Sequence, residues 1–167
     1  MITSLTMSTA SITATITSTE PITAPPAEVV RIEREAGGGW LGWVVQVDDI
    51  TEQESRLGRE AIDGNRHRPD GVELRWRQLG IKGLQSDPQL PYFIEWAQGV
   101  PHPSGDAATE VTIDSLQIAG DPDRVREWLG LPADATSTVI DFTFVSPHGT
   151  PGLMAVTFDT PNGDVTI

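Results

Sequence analysis

Glu95 is the single carboxylate in the apolar run Leu90-Pro91-Tyr92-Phe93-Ile94-Glu95-Trp96, and two guanidinium groups, Arg75 and Arg77, stand in the alternating run from Val72 to Leu79. A carboxylate in an apolar strand has to be paired, hydrogen-bonded or protonated. Successive side chains of a strand point to opposite faces. Val72, Leu74, Trp76, Tyr92, Ile94 and Trp96 therefore share one face, and Arg75, Arg77, Phe93 and Glu95 the other. If the apolar set packs beneath helices, the charged set lines a concave face, where Arg75 or Arg77 pairs with Glu95 across neighbouring strands. Such a pair can simply neutralise half-buried charge. It can also orient the carboxylate or carbonyl of a small ligand through the guanidinium, with Glu95 as a candidate general base.

Three histidines complete the set of groups able to do chemistry. His102, between Pro101 and Pro103, follows the Glu95 strand closely enough to reach a site rim. His67 borders the Pro69-Asp70-Gly71 turn, and His148 sits in a solvated Pro-Gly loop. Their spacing supplies no metal-ligand pair. The absence of cysteine excludes thiol nucleophiles, thiolate metal sites and disulfides. Gly37-Gly38-Gly39 precedes a strand instead of opening a helix, so it is not a phosphate-cradling loop, and no Gly-x-Ser-x-Gly elbow occurs. The five tryptophans alternate with apolar neighbours or lie on a helix face and read as core.

A chain of 167 residues fits one domain, or two small subdomains sharing a core, without a metal or disulfide staple. A net charge of -13 speaks against nucleic acid and anionic membrane surfaces as partners, because both are held by clustered Lys and Arg. No apolar run approaches the roughly 20 residues that span a bilayer, and the N-terminus has no secretory pattern. The expectation is a cytoplasmic protein with a small-molecule ligand.

The elements that must position these groups begin after a Thr/Ser-rich stretch. Residues 1 to about 28 carry almost no charge and no aromatic side chain, and residues 1–36 read as a disordered or weakly structured tail, with Met7 as an alternative start. The alternation of Ser11 to Ile16 offers a short strand instead, and Glu28 to Glu35 a brief helix or strand. Residues 37–167 read as the folded part. Trp40 to Val47 is a strand, Asp48 and Asp49 offer N-cap oxygens, and Ile50 to Glu60 is an amphipathic helix. Strands follow over Asn65–Arg68, Val72–Leu79 and Pro91–Ala97, with the Pro-Asp-Gly turn between the first two. Beyond the linker Gly99 to Gly105 the order recurs: a strand over Val111–Ala119, then a helix capped by Asp121 with Pro122 in its first turn and stopped at Gly130. Strands over Thr138–Val145, Leu153–Phe158 and Asp164–Ile167 complete it. This is an architectural repeat of about 60 residues, with modules at about 38–98 and 109–167.

Two tandem strand-helix-strand-strand-strand units resemble the vicinal oxygen chelate superfamily, which includes glyoxalase I and the extradiol dioxygenases. More narrowly, Arg68-Pro-Asp-Gly, Leu74-Arg-Trp76, Leu90-Pro-Tyr-Phe-Ile-Glu-Trp96 and His102-Pro-Ser104 resemble the glyoxalase-like domain proteins, over about Trp40 to Ile167. The fold expected is α+β, with two βαβββ modules whose curved mixed sheets surround a cup. Family members often carry a further module ahead of the one beginning at Trp40, which the Thr/Ser-rich stretch replaces here.

The resemblance implies a divalent metal held by a His or Gln on the first strand and a Glu on the last strand of each module. Neither first strand here contains a histidine. The first-ligand region holds Gly42, Val44 and Gln46 in module one, and Ser115 and Gln117 in module two. Glu95 matches the last-strand carboxylate of module one and is the only plausible metal ligand, while module two offers only Asp164. Such a set is a poor match to the imidazole, carboxylate or thiolate ligands of a transition metal. The expectation is therefore no cofactor, and a small-molecule-binding cup lined by Arg75, Arg77, Phe93, His102, Gln46 and Gln117. The alternatives are a metal-dependent lyase or dioxygenase acting on a small carbonyl compound, and a module whose sheets pair between chains in a homodimer.

Overall fold

The computed structural model describes residues 2–8, 11–15, 40, 42–83, 86–100, 111–131, 140–146 and 151–167. The chain runs β1 (Ile2–Ser8), β2 (Ser11–Thr15), β3 (Gly42–Val47), α1 (Ile50–Leu57), β4 (Ile62–His67), β5 (Glu73–Leu79) and β6 (Tyr92–Trp96). It continues with β7 (Thr112–Ala119), α2 (Pro122–Leu129), β8 (Asp141–Val145), β9 (Gly152–Asp159) and β10 (Val165–Thr166). The architecture is α+β, and both units follow the expected order of strand, helix and three strands. Within the stretch read as a tail, the structure places two strands. β1 runs parallel to β3, and β2 pairs antiparallel with β1. Thr and Ile are β-branched and suit extended chain, so low charge and missing aromatics were not sufficient signs of a tail. The Glu28–Glu35 segment lies outside the described residues.

The two helices share one local design. Asp49 and Asp121 are their N-caps, and each accepts from backbone N–H groups two or three residues on. Each helix is eight residues long and ends at a glycine in the left-handed region, Gly58 or Gly130, a conformation in which a Cβ is disfavoured. The first helix ends at Leu57, short of the expected Glu60, because Gly58 terminates it.

The sheets differ. The first has the order β2-β1-β3-β6-β5-β4, so the first and last strands of module one, β3 and β6, are parallel neighbours. The second has the order β10-β9-β7-β8, in which β8 pairs directly and in parallel with β7. The repeat therefore holds in element order but not in strand order. In module one the helical crossover spans the width of two intervening strands, whereas in module two it returns to the adjacent strand.

One hydrophobic core joins the modules. Trp43, Val45, Val47, Ile50, Leu79 and Phe93 from module one pack with Leu116, Ile118, Val125, Leu129, Val156 and Phe158 from module two. Trp43 lies against Phe142 with ring centroids 5.8 Å apart. A second cluster, Val44, Leu74, Trp76, Tyr92 and Ile94, occupies the opposite face of the first sheet. Polar ties reinforce the joint. Arg56 of α1 donates to the carbonyls of Glu127 (2.9 Å) and Trp128 (2.6 Å) at the C-terminus of α2, where a cation complements the helix dipole. Gln89 carries its backbone carbonyl to Trp43 Nε1–H (3.0 Å) and its side-chain oxygen to the Asp121 N–H (2.8 Å).

Candidate functional site

The two faces of the first sheet are the reverse of the sequence expectation. Phe93 is fully buried in the core shared with the helices, and Glu95, two residues on, projects to the same side. Glu95 Oε2 accepts from the Ile50 N–H at 2.9 Å, the first amide of α1. Register places Arg77 opposite Glu95, yet the Arg77 guanidinium goes to Glu54 of α1 at 2.9 Å. The Ala61 N–H, at 2.7 Å, holds the Glu54 carboxyl below its ordinary range, partial burial opposes this, and Arg77 adds to the lowering. The expected Arg75 or Arg77 pair with Glu95 is thus replaced by contacts that anchor helix α1. Arg75 is exposed and stands 3.9 Å from Glu73. Strand alternation identified which residues share a face, but both faces are apolar, so the pattern could not tell which one the helices cover.

Glu95 has a further structural reason to be where it is. A helix begins with amides that have no partner within it. In α1 the first residue is Ile50, whose N–H Glu95 satisfies, while Asp49 takes the Thr51 N–H at 2.9 Å. In α2 the first residue is Pro122, which has no N–H to satisfy.

The face turned away from the helices is built by β3, β6, β5 and β4. Across it, register aligns Gln46, Ile94, Gln78 and Ile62 in one row, and Trp96, Trp76 and Gly64 in the next. Trp76 and Trp96 meet edge to face with centroids 5.6 Å apart. The Trp76 indole lies across Gly64, where an added Cβ would come within 2.4 Å of Nε1. Trp76 Nε1–H donates to Gln78 Oε1 at 3.2 Å. Tyr92 is completely buried, and its hydroxyl has no hydrogen-bond partner among the described residues. Burial pushes its ionisation well above the ordinary phenol range. Gln46 and Trp96 are half-buried and Ile62 is exposed, so this face reaches the surface along one border.

The remaining expected site residues scatter. Gln117 is exposed on the opposite sheet, on a polar face with Ser115 and Thr157. His102 and His148 lie outside the described residues, and His67 is exposed on edge strand β4. Of the aromatic and glutamine group on the first sheet, the sequence singles out Gln46 alone, because Trp76, Tyr92 and Trp96 read as core and Gln78 carries no signal of its own. Gly64 within a strand was the available signal, since such a glycine marks a close approach.

A divalent metal of the kind the superfamily uses does not fit these residues. Among the described side chains of β3, Gln46 is the one able to donate a ligand atom, and its neighbour on β6 is Ile94, while Glu95 faces the helix. In module two, β9 lies between β7 and β10, holding Gln117 and Asp164 about two strand spacings, roughly 10 Å, apart. Among the described residues no three His, Asp or Glu side chains converge. No described helix is long and apolar enough to cross a membrane.

A family model described as a glyoxalase-like domain matches residues 12–133, most of the chain, covering module one with β7 and α2 of module two. No curated protein and no solved structure gives a match.

Proposed function

This chain belongs to the glyoxalase-like domain family, and from that membership we propose that it is a small-molecule-binding protein lacking the complete metal site of the superfamily's enzymes. The ligand site is the helix-distant face of the first sheet, and the ligand is a compact aromatic or unsaturated compound with a carbonyl acceptor. The observation that carries this reading is the Tyr92 hydroxyl, buried without a hydrogen-bond partner among the described residues. Leaving a buried donor unsatisfied costs about 1–3 kcal/mol, and a ligand oxygen recovers that cost. Around it lie the apolar Trp76 and Trp96 rings, with the Gln46 and Gln78 side chains on the same face.

The test is a thermal-shift and native mass spectrometry screen of small carbonyl compounds against wild type and Tyr92→Phe. A compound that stabilises the wild type should lose about tenfold in affinity on loss of the hydroxyl, while the unliganded variant is at least as stable as the wild type. Stoichiometric zinc, iron or nickel in protein purified without chelators would overturn the reading. So would a ligand indifferent to Tyr92→Phe.

A further inference from the structure

A cleft of about 290 Å³ lies where the two modules meet, on the helix side and apart from the face that carries Tyr92. Its apolar walls are Leu57 at the end of α1, Leu90 and Pro91 before β6, and the Trp128 indole on α2. Trp128 is fixed in place: its Nε1–H donates to the Pro91 carbonyl at 2.8 Å, and Phe93 stacks on it with centroids 6.2 Å apart. Gly80 lies against the ring, where a Cβ would stand 3.2 Å from Cζ2.

The charges around the cleft are unequal in their commitments. Arg124 is held by Asp87 at 2.6 Å. Arg59 lies over the Trp128 ring, 5.2 Å from its centroid, and has no carboxylate partner among the described residues. The indole face attracts the guanidinium but uses none of its N–H donors. Arg59 is therefore a positioned cation with a free hydrogen-bonding edge beside an apolar wall. Asp87 and Glu127 also line the cleft, and their negative charge disfavours a dianion.

We infer that this cleft between the modules is a second ligand site, for a small planar monocarboxylate whose carboxylate is received by Arg59 and whose apolar body rests on Leu57, Leu90, Pro91 and Trp128. The volume suits a molecule of about ten heavy atoms, taking roughly 30 Å³ for each water-sized unit. A guanidinium matches a carboxylate with two parallel hydrogen bonds, and the fixed indole spares the ligand the cost of ordering its wall.

Benzoate is the probe, with benzyl alcohol as its uncharged counterpart, each titrated into the full chain at pH 7. The readout is the indole N–H resonance of Trp128, assigned by its loss in Trp128→Phe. Benzoate should shift this resonance saturably, and Arg59→Gln, a substitution at an exposed position, should weaken binding about tenfold. Benzyl alcohol should bind the wild type about as weakly as benzoate binds Arg59→Gln. Tyr92→Phe should leave the benzoate titration unchanged, which separates this site from the sheet face. The proposal is overturned if benzoate and benzyl alcohol bind equally, if Arg59→Gln changes nothing, or if Tyr92→Phe abolishes the effect.

Discussion

Modules one and two have nearly the same helix and quite different sheets. Each helix is eight residues long, begins at an aspartate cap and stops at a left-handed glycine. Behind these helices the sheets diverge. The first sheet turns an aromatic face away from its helix, with Trp76 across Gly64 and Trp96 against Trp76. The corresponding face of the second sheet is a polar surface of Ser115, Gln117, Thr143 and Thr157, with a Thr157–Thr166 hydroxyl contact of 3.0 Å. Strand order diverges with it, because β6 lies beside β3 whereas β10 is kept from β7 by β9. Helix caps act within a few residues and persist in both halves. An aromatic face needs several strands in one order, and among the described residues module one has it.

The sharpest test of this contrast is truncation on the two faces. Trp76→Ala removes a side chain only 4% exposed and should cost about 3–5 kcal/mol in urea unfolding, whereas Gln117→Ala should stay within about 0.5 kcal/mol. Equal costs would break the contrast. Gly64→Ala comes next: its methyl group must displace the Trp76 ring, at a cost of about 1–3 kcal/mol, and near-ultraviolet circular dichroism should report the moved indole. Glu95→Ala should cost about 1 kcal/mol by stripping the cap from Ile50. Amide exchange should then rise at the start of α1 and not at α2, which opens on Pro122. Exchange rising equally in both helices would refute the anchoring role.

The smallest effect is on acid stability. The folded Glu54 carboxyl titrates below its ordinary value of 4.5, so its contribution is present above that value and fades as pH falls through the lower folded one. Glu54→Gln should make the loss of stability below about pH 4.5 shallower. Asp49, held low by the Thr51 hydroxyl and amide, acts in the same sense, so the slope is reduced and not removed. An unchanged slope would show that the Arg77 and Ala61 contacts do not persist in solution.

Much of the architecture was legible in the residues. Asp121-Pro122 and Gly130 set the bounds of α2, and Gly152–Asp159 extends the expected Leu153–Phe158 strand by one residue at each end. Those signals are local. The aromatic face was harder to read because Val44 and Val45 are both fully buried, so alternation in β3 gives no inside or outside. Glu95 looked chemical since an acid in an apolar strand needs a partner, and that partner was an amide 45 residues earlier in the chain. Strand order in module two was not legible either, because the length of a helical crossover does not say how many strands it passes.

The shared core also has a consequence for synthesis. Trp43, Val45 and Phe93 are covered in part by Leu116, Val156 and Phe158, and a ribosome makes the first group well before the last. While the chain is still growing, module one emerges with its helix-side apolar surface incompletely closed, and only release of the C-terminal strands seals it. A transcript truncated ahead of β9 would therefore yield a sticky, aggregation-prone half instead of an independently folded module.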